Sequence, residues 1–154
     1  VTEAPNGNIA FAISRVGDPK ARGTIALLSD DPRDYPLVSA NYLSEQEDVD
    51  VMLEAMERIQ AIMAQQPDVF DDQILFPLPN STLQEHLERT ASTYFHTVGS
   101  CPIGDVVDKD LKVHGISGLR VADASIAPVV PNANTNAMAM MVGMRAADLI
   151  LYDC

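Results

Sequence analysis

The sequence predicts an α+β fold, in which short strands come first and helices follow, and three observations support this class. In the first third of the chain, turn-forming residues enclose brief apolar runs, as they do around strands. In the middle, apolar residues recur at steps of three and four, the period of an amphipathic helix. The last segment is again helical in pattern and almost entirely apolar. Strands followed by helices in this order are typical of α+β proteins.

The strands are expected in two apolar runs near the start. The run from Ile9 to Val16 is bounded by Asn-Gly and Gly-Asp-Pro turns, and the run from Thr24 to Leu28 is closed by Ser-Asp-Asp-Pro. Turn residues on both sides favour an antiparallel hairpin or meander. Because two strands do not form a stable sheet alone, further strands must come from elsewhere.

A long helix is expected in the middle of the chain, from about Glu45 to Gln66, where Pro67 ends it. Ser44 and Glu47 have the spacing of a capping box at its start. The apolar stripe is interpreted as a core-facing side rather than as a cofactor face. Its members are Val49, Met52, Met56, Ile59 and Met63.

After an irregular connection over Asp68 to Pro79, a shorter helix is expected, with Ser81 and Gln84 as its capping box. The segment from Gly118 to Ser125 is expected to contain a turn, a short apolar strand and a polar end, and the last helix runs from about Asn136 to Leu151. That helix is apolar on almost every side, so it needs to be enclosed on every side, and a chain of this size cannot do so. Together with the absence of an initiator Met at Val1, this predicts a piece of a longer protein.

The composition limits the function. The chain has 154 residues, of which 47% are hydrophobic and 21% charged, as in a globular domain with a core. Acidic residues outnumber basic ones 22 to 10, and the net charge of −12 repels phosphate backbones, so no nucleic-acid partner is expected. No run of about 20 uncharged apolar residues exists, so no membrane span is expected. Localisation stays open, with secretion allowed by the sequon at Asn80.

Two groups of residues are candidates for chemistry. His96 lies between aromatic residues and a turn of small residues, a setting that suits either a packed histidine or a general base. Asn134, Thr135 and Asn136 lie at the start of the last helix, where they either cap it or help it to stabilise negative charge. From the residues alone, both alternatives remain open in each case. His96 and Cys101 lack the further ligands of a zinc site, so no metal is expected.

Several ordered segments of the second half resemble the C-terminal signature of the glucose–methanol–choline (GMC) flavin oxidoreductases. They are Phe-His-Thr-Val-Gly-Ser-Cys at 95–101, Val-Val-Asp at 106–108, Leu-Lys-Val-His-Gly-Ile-Ser-Gly-Leu-Arg-Val-Ala-Asp-Ala-Ser-Ile-Ala-Pro at 111–128, and Asn-Thr-Asn at 134–136. Upstream, residues 22–27 and 36–42 look like the strand that opens the last substrate-domain segment of that family. The resemblance covers about residues 20–151.

The resemblance implies an FAD-dependent alcohol oxidase or dehydrogenase, in which a hydride passes from the substrate carbon to N5 of the flavin. His96 would be the base that takes the hydroxyl proton, and Asn134 would hydrogen-bond the substrate oxygen. Phe95 would line the substrate side of the flavin. The residues that would contact FAD are Asp123, Ala124, Thr135 and Asn136.

The resemblance also implies the organisation of the chain. Residues 1–94 would belong to the substrate-binding domain, with its antiparallel sheet and helices, and residues 95–154 would carry the catalytic groups and return to complete the FAD-binding domain. The Gly-x-Gly-x-x-Gly motif that holds the ADP half of FAD is missing. The expected partners are therefore an N-terminal FAD-binding polypeptide of the same enzyme and a small alcohol.

Two other functions remain as alternatives. Some members of this family keep FAD but do not carry out net alcohol oxidation, as in hydroxynitrile lyases, cyclases and photodecarboxylases. A third possibility, from another class, is a binding module that functions alone and without a cofactor. The identity of the alcohol does not follow from the sequence, because the shape of the pocket depends on residues outside it.

Overall fold

The computed structural model of this chain describes residues 2–3, 9–10, 13–66, 77 and 80–152. The fold divides into two compact units, Val1–Ser92 and Thr93–Cys154. The first contains short antiparallel strands and two helices, and the second contains turns, a 3₁₀ turn and one long helix. Strands followed by helices are what the sequence predicts, and the α+β class is confirmed.

The strands of the first unit form two antiparallel pairs. β1 (Thr2–Glu3) pairs with β2 (Ile9–Ala10), and β3 (Thr24–Ala26) pairs with β4 (Leu37–Ser39). The strand predicted over residues 9–16 is shorter than expected, because residues 13–16 are not extended in a ladder; residues 11 and 12 lie outside the described part. The strand predicted over residues 24–28 is confirmed as far as residue 26.

The long helix α1 (Gln46–Ala64) lies where the sequence predicts it, and its apolar stripe forms the core of the first unit. Its start differs from the expectation, however. Glu45 is the N-cap residue, and its side chain makes no capping hydrogen bond. The capping box predicted at Ser44 is therefore wrong, because the helix begins one residue too late for that hydroxyl. The acidic residues Glu47 and Asp48 in the first turn instead interact favourably with the positive end of the helix dipole.

Helix α2 (Leu83–Thr90) begins with a complete capping box at Thr82 and Glu85. The Glu85 amide donates to Thr82 Oγ1 at 3.1 Å, and the Thr82 amide donates to Glu85 Oε2 at 2.7 Å. The box predicted at Ser81 is thus wrong by one residue, because a carboxylate three positions after Thr82 reaches back to its amide. The hydrogen bonds that the Thr82 amide and hydroxyl donate to the carboxylate lower the pKa of Glu85. The connection predicted over residues 68–79 lies outside the described residues except for Pro77.

A buried carboxylate ties the chain before β3 to the first turn of α1. Asp48 is only 6% exposed. It accepts hydrogen bonds from the Lys20 amide at 2.8 and 3.0 Å and from the Ala21 amide at 2.9 Å. Because α1 presents the positive end of its dipole here, the negative charge of this carboxylate lies in a favourable field.

The second unit is built around one small apolar core. Helix α3 (Asn136–Tyr152) packs against the 3₁₀ turn (Ala124–Ile126), and its range agrees with the prediction. The short apolar strand predicted within residues 118–125 is reduced to an isolated bridge between Lys112 and Arg120, and the chain then bends into the 3₁₀ turn. The buried residues of this core are Val107, Leu111, Ile126, Val142 and Ala146.

Helix α3 buries only one of its sides within the described residues. Six large apolar side chains on its remaining surface are exposed: Met140, Met141, Met144, Ile150, Leu151 and Tyr152. None of the three α-helices in the described ranges combines the length and the apolar character needed to cross a lipid bilayer.

We predict that Asp48→Ala destabilises the start of α1, because it leaves two partly buried backbone N–H groups without an acceptor. The expected loss is about 1–3 kcal/mol of local opening free energy. Hydrogen–deuterium exchange of the Lys20 and Ala21 amides measures it. Asp50→Ala is the matched control, since Asp50 is exposed and accepts a hydrogen bond from the Gln46 side chain. Equal exchange rates in both variants and the wild type would contradict the assigned role.

Candidate active site

The residues predicted to carry chemistry lie on three short segments of the second unit: a loop before Gly104, the 3₁₀ turn and the start of α3. Backbone hydrogen bonds hold the loop against the turn. The carbonyl of Ser125 accepts from the Gly99 amide at 3.1 Å and from the Cys101 amide at 3.0 Å. Gly99 has a φ of +85°, which glycine adopts without the strain that a side chain brings.

The start of α3 is fixed against the same turn. Ile126 belongs to the core cluster that contains Val142 and Ala146 of the helix. The carbonyl of Thr135 accepts from the Ala139 amide at 2.9 Å, which places Thr135 at the N-cap position. The 3₁₀ turn therefore holds both the loop that carries His96 and the helix start.

The imidazole of His96 is held from two directions. Its Nδ1 lies 3.0 Å from the hydroxyl oxygen of Thr135. The ring of Tyr94 meets it edge to face, with centroids 5.1 Å apart and planes at 88°. Its Nε2 is buried and has no hydrogen-bond partner within the described part of the chain. The ring is thus oriented through one nitrogen, while the other nitrogen has no partner among these residues.

Phe95 has an unusual conformation next to this histidine. Its φ is +60°, in the left-handed region where a bulky side chain is strained. Its amide donates to Thr93 Oγ1 at 3.0 Å, and its side chain is 85% exposed. Strain of this kind persists where the surrounding structure requires it, and it is frequent at functional sites.

Asp123 starts the 3₁₀ turn. Its Oδ1 accepts from the Ser125 amide at 2.8 Å. Hydrogen bonds from the hydroxyl and the backbone N–H of Ser125 lower the pKa of this exposed carboxyl group, so it is ionised near neutral pH. Ala124 is the first residue of the turn. These two residues lie in the same unit as His96, at the segment that supports its loop.

Asn134 and Asn136 flank Thr135 in sequence, and both are exposed. The side chain in this segment that contacts His96 is that of Thr135, a contact that the sequence does not predict. Tyr94 is a second neighbour of His96. The sequence shows an aromatic residue two positions before His96 but does not predict that the two rings are in contact. No three histidine, cysteine or acidic side chains within the described ranges come together in a metal-binding arrangement.

The site has features that suit a flat, partly anionic cofactor such as a flavin. The free backbone N–H groups in the first turn of α3 can stabilise negative charge on a ligand. Exposed Phe95 offers an aromatic surface, and the buried Nε2 of His96 lacks a partner. The carboxylate of Asp123 can accept hydrogen bonds from hydroxyl groups. The residues predicted to hold such a cofactor lie at the 3₁₀ turn (Asp123 and Ala124) and at the start of α3 (Thr135 and Asn136).

Comparison with known proteins gives relatives over most of this chain. A family model described as GMC oxidoreductase matches residues 19–143. The chain is 38% identical over 144 residues to an alcohol dehydrogenase (acceptor) of Pseudomonas putida and 36% identical over 144 residues to choline oxidase of Arthrobacter globiformis. The alignments cover 86% and 85% of this chain but 26% of each relative. The chain thus spans about a quarter of the length of these relatives.

Solved structures give a similar result. Formate oxidase of Aspergillus oryzae RIB40, in a structure that concerns the modification of its FAD, superimposes with a TM-score of 0.77 at 27% identity. That match covers 85% of this chain and 25% of the oxidase. A fungal aryl-alcohol oxidase superimposes with a TM-score of 0.70 at 29% identity, over 88% of this chain and 24% of the oxidase.

We predict that Asp123→Ala lowers the midpoint temperature of thermal unfolding at pH 7 by about 2–4 °C. The reason is the loss of the N-cap hydrogen bond that the Asp123 side chain accepts from the Ser125 amide. Since folding lowers the pKa of Asp123 from 3.8, the ionised group stabilises the fold above that value. This contribution disappears as the pH falls through the lowered pKa, so the difference between variant and wild type should shrink in acid.

Asp123→Asn separates the two effects, because asparagine also caps well but carries no charge. Asp105→Ala is the control, since Asp105 is an exposed acid of the same unit. A thermal midpoint of Asp123→Ala that matches the wild type at pH 7 would contradict the capping role.

Proposed function

This chain belongs to the GMC oxidoreductase family, as its sequence predicts, and we propose that it is the C-terminal part of an FAD-dependent enzyme that oxidises an alcohol. Its curated relatives include an alcohol dehydrogenase and a choline oxidase. The observation that carries the proposal is the setting of His96, whose Nδ1 contacts Thr135 while its buried Nε2 lacks a partner within the described residues.

In this proposal His96 is the general base. Its Nε2 accepts the proton of the substrate hydroxyl group while Nδ1 keeps its contact with Thr135. A nitrogen that already has a protein partner cannot take this role without breaking that bond. The edge of the Tyr94 ring restricts rotation of the imidazole and so helps to keep Nε2 in place.

Asn134 is proposed as the second group that contacts the reacting oxygen. Its side chain is exposed, and it directly precedes Thr135, the residue that contacts His96 at the start of α3. A side-chain amide there can donate a hydrogen bond to the oxygen as negative charge develops on it. Phe95 is proposed to line the substrate side of the site, because it directly precedes His96 in the chain and its ring is exposed.

We propose that Asp123, Ala124, Thr135 and Asn136 hold FAD. When bound, FAD supplies the acceptor for the hydride that leaves the alcohol carbon. The free N–H groups in the first turn of α3 would stabilise negative charge on a bound flavin. Asp123 would accept hydrogen bonds from hydroxyl groups of the cofactor. These residues bind and orient, whereas His96 and Asn134 handle the proton and the oxygen.

The proposed partner is an N-terminal FAD-binding polypeptide of the same enzyme. The relatives are about four times longer than the stretch that this chain matches, and the exposed apolar surface of α3 requires a cover. Residues 1–94 are proposed as a portion of the substrate-binding domain and residues 95–154 as the catalytic segment that completes the FAD-binding domain.

We predict that His96→Ala in the complete enzyme slows reduction of the flavin by at least about 10²-fold, the usual contribution of a positioned base. Stopped-flow absorbance of the oxidised flavin measures the rate, with choline, benzyl alcohol and 1-butanol as test alcohols. His114→Ala is the control, since His114 is exposed in a turn.

A normal rate in His96→Ala would remove this residue from the mechanism. If the alcohols leave the oxidised flavin absorbance of the wild type unchanged, oxidation of these three alcohols is refuted. That result would favour a non-redox member of the family.

We also predict that Met144→Glu weakens retention of FAD and association with the N-terminal part, because it places a charge on an apolar surface that is to be buried. Met144 is 73% exposed in this chain, and burial of an unpaired charge is costly. The ratio of flavin to protein after gel filtration measures the loss. Met144→Leu is the control and should retain FAD. Full flavin content in Met144→Glu would mean that this side of α3 faces solvent in the enzyme.

A further inference from the structure

We propose that Thr135 is a positioning residue that keeps the neutral imidazole of His96 in the tautomer with its proton on Nδ1. This inference rests on the proposed function, in which Nε2 of His96 takes the substrate proton. It adds a role for Thr135 that differs from contact with the cofactor and that acts through His96.

The contact joins two side chains that are 39 positions apart in the chain. Thr135 Oγ1 lies 3.0 Å from Nδ1, a normal hydrogen-bond distance, in a partly buried position. Within the described part of the chain, no acidic side chain forms an ion pair with His96. The partner of Nδ1 is therefore a neutral hydroxyl, which orients the ring without adding a counter-charge.

The direction of this hydrogen bond decides whether Nε2 can act as a base. A neutral imidazole has one N–H donor and one nitrogen that accepts, whereas a hydroxyl can do both. If Nδ1 carries the proton, it donates to Thr135 Oγ1, and Nε2 presents a lone pair to the substrate. If the hydroxyl donates to Nδ1 instead, Nε2 already carries the proton and cannot accept another.

The same bond persists during the reaction. When Nε2 gains the substrate proton, both ring nitrogens are donors, and Nδ1 still donates to Thr135 Oγ1. No partner has to rotate or exchange, so the ring is preorganised for proton transfer. In the opposite tautomer the hydroxyl would have to turn before the ring could become protonated.

Both ends of this contact are held by the 3₁₀ turn. The loop of His96 is bound to the carbonyl of Ser125 through two amides, and the helix that begins after Thr135 packs on Ile126. Thr135 also occupies the N-cap of α3, so its backbone is fixed by the helix. The hydroxyl is therefore presented to the ring from a rigid support.

The test uses Thr135→Val and Thr135→Ser in the complete enzyme loaded with FAD. Valine matches the shape of threonine but lacks the hydroxyl, and serine restores it. Thr90→Val is the matched control, because it also removes a threonine hydroxyl that makes one hydrogen bond, here to the His86 carbonyl. Flavin content and the thermal midpoint show whether each variant is folded.

The kinetic readout is flavin reduction by the fastest of choline, benzyl alcohol and 1-butanol. Thr135→Val should lower the limiting rate at least about tenfold, part of the contribution of a positioned base, while KM changes less than about threefold. Thr135→Ser and Thr90→Val should stay within about threefold of the wild type. A Thr135→Val enzyme as fast as the wild type overturns the proposal, and so does a serine variant as slow as the valine variant.

The second readout is the ¹⁵N spectrum of the histidine rings, with His96 assigned from the resonance lost in His96→Gln. The wild type should show the proton on Nδ1, and Thr135→Val should show a mixture of tautomers. A wild-type enzyme with the proton on Nε2 overturns the proposal even if the valine variant does not fold. An unchanged tautomer in a slow Thr135→Val enzyme also overturns it, because Thr135 would then act in another way.

Failure of the proposed function has a different result. If His96→Gln reduces flavin at the wild-type rate, His96 is not the base, and the positioning role falls with it. If His96→Gln is slow, the comparison of Thr135→Val with Thr135→Ser tests Thr135 alone.

Discussion

The 3₁₀ turn at residues 124–126 is the support on which the candidate active site depends. One carbonyl, that of Ser125, accepts two amides from the loop of His96, and the side chain of Asp123 fixes the turn by accepting the Ser125 amide. Ile126 packs into the core with α3, which places Thr135 beside the imidazole. The hydrogen bond between Thr135 and His96 therefore depends on the 3₁₀ turn, which holds the loop of His96 on one side and α3 on the other.

The two units have small cores and extensive apolar surface. The described part of the first unit buries four hydrophobic residues as its cluster, and that of the second buries five. Apolar side chains of β3, β4 and α3 are exposed, among them Ile25, Val38 and Met144. Such surfaces suit elements that pack against other parts of a larger protein. This agrees with a chain that spans about a quarter of the relatives it matches.

Periodic features were predictable from the sequence, and features that depend on single hydrogen bonds were not. The stripe of α1 and the range of α3 follow from patterns that repeat over several turns. The capping box of α2 was predicted one residue early, because Ser81 with Gln84 and Thr82 with Glu85 have the same spacing, whereas the box predicted for α1 does not form. The 3₁₀ turn was missed because Asp123 bends an apolar stretch through its own side chain. His96 stood out from its neighbours, whereas its contact with Thr135 spans 39 positions and leaves no local signal.

In the proposed function, His96 and Asn134 act on one oxygen atom beside a flavin. A crystal structure of the complete enzyme with FAD and a bound, non-reacting analogue of its alcohol tests this most directly. We predict that Nε2 of His96 and the side-chain amide of Asn134 both lie within roughly 2.6–3.2 Å of the analogue's oxygen, on the side of the ring where the analogue binds. A structure in which these two side chains face different sides of the flavin, or in which Nε2 contacts another protein group, would contradict it.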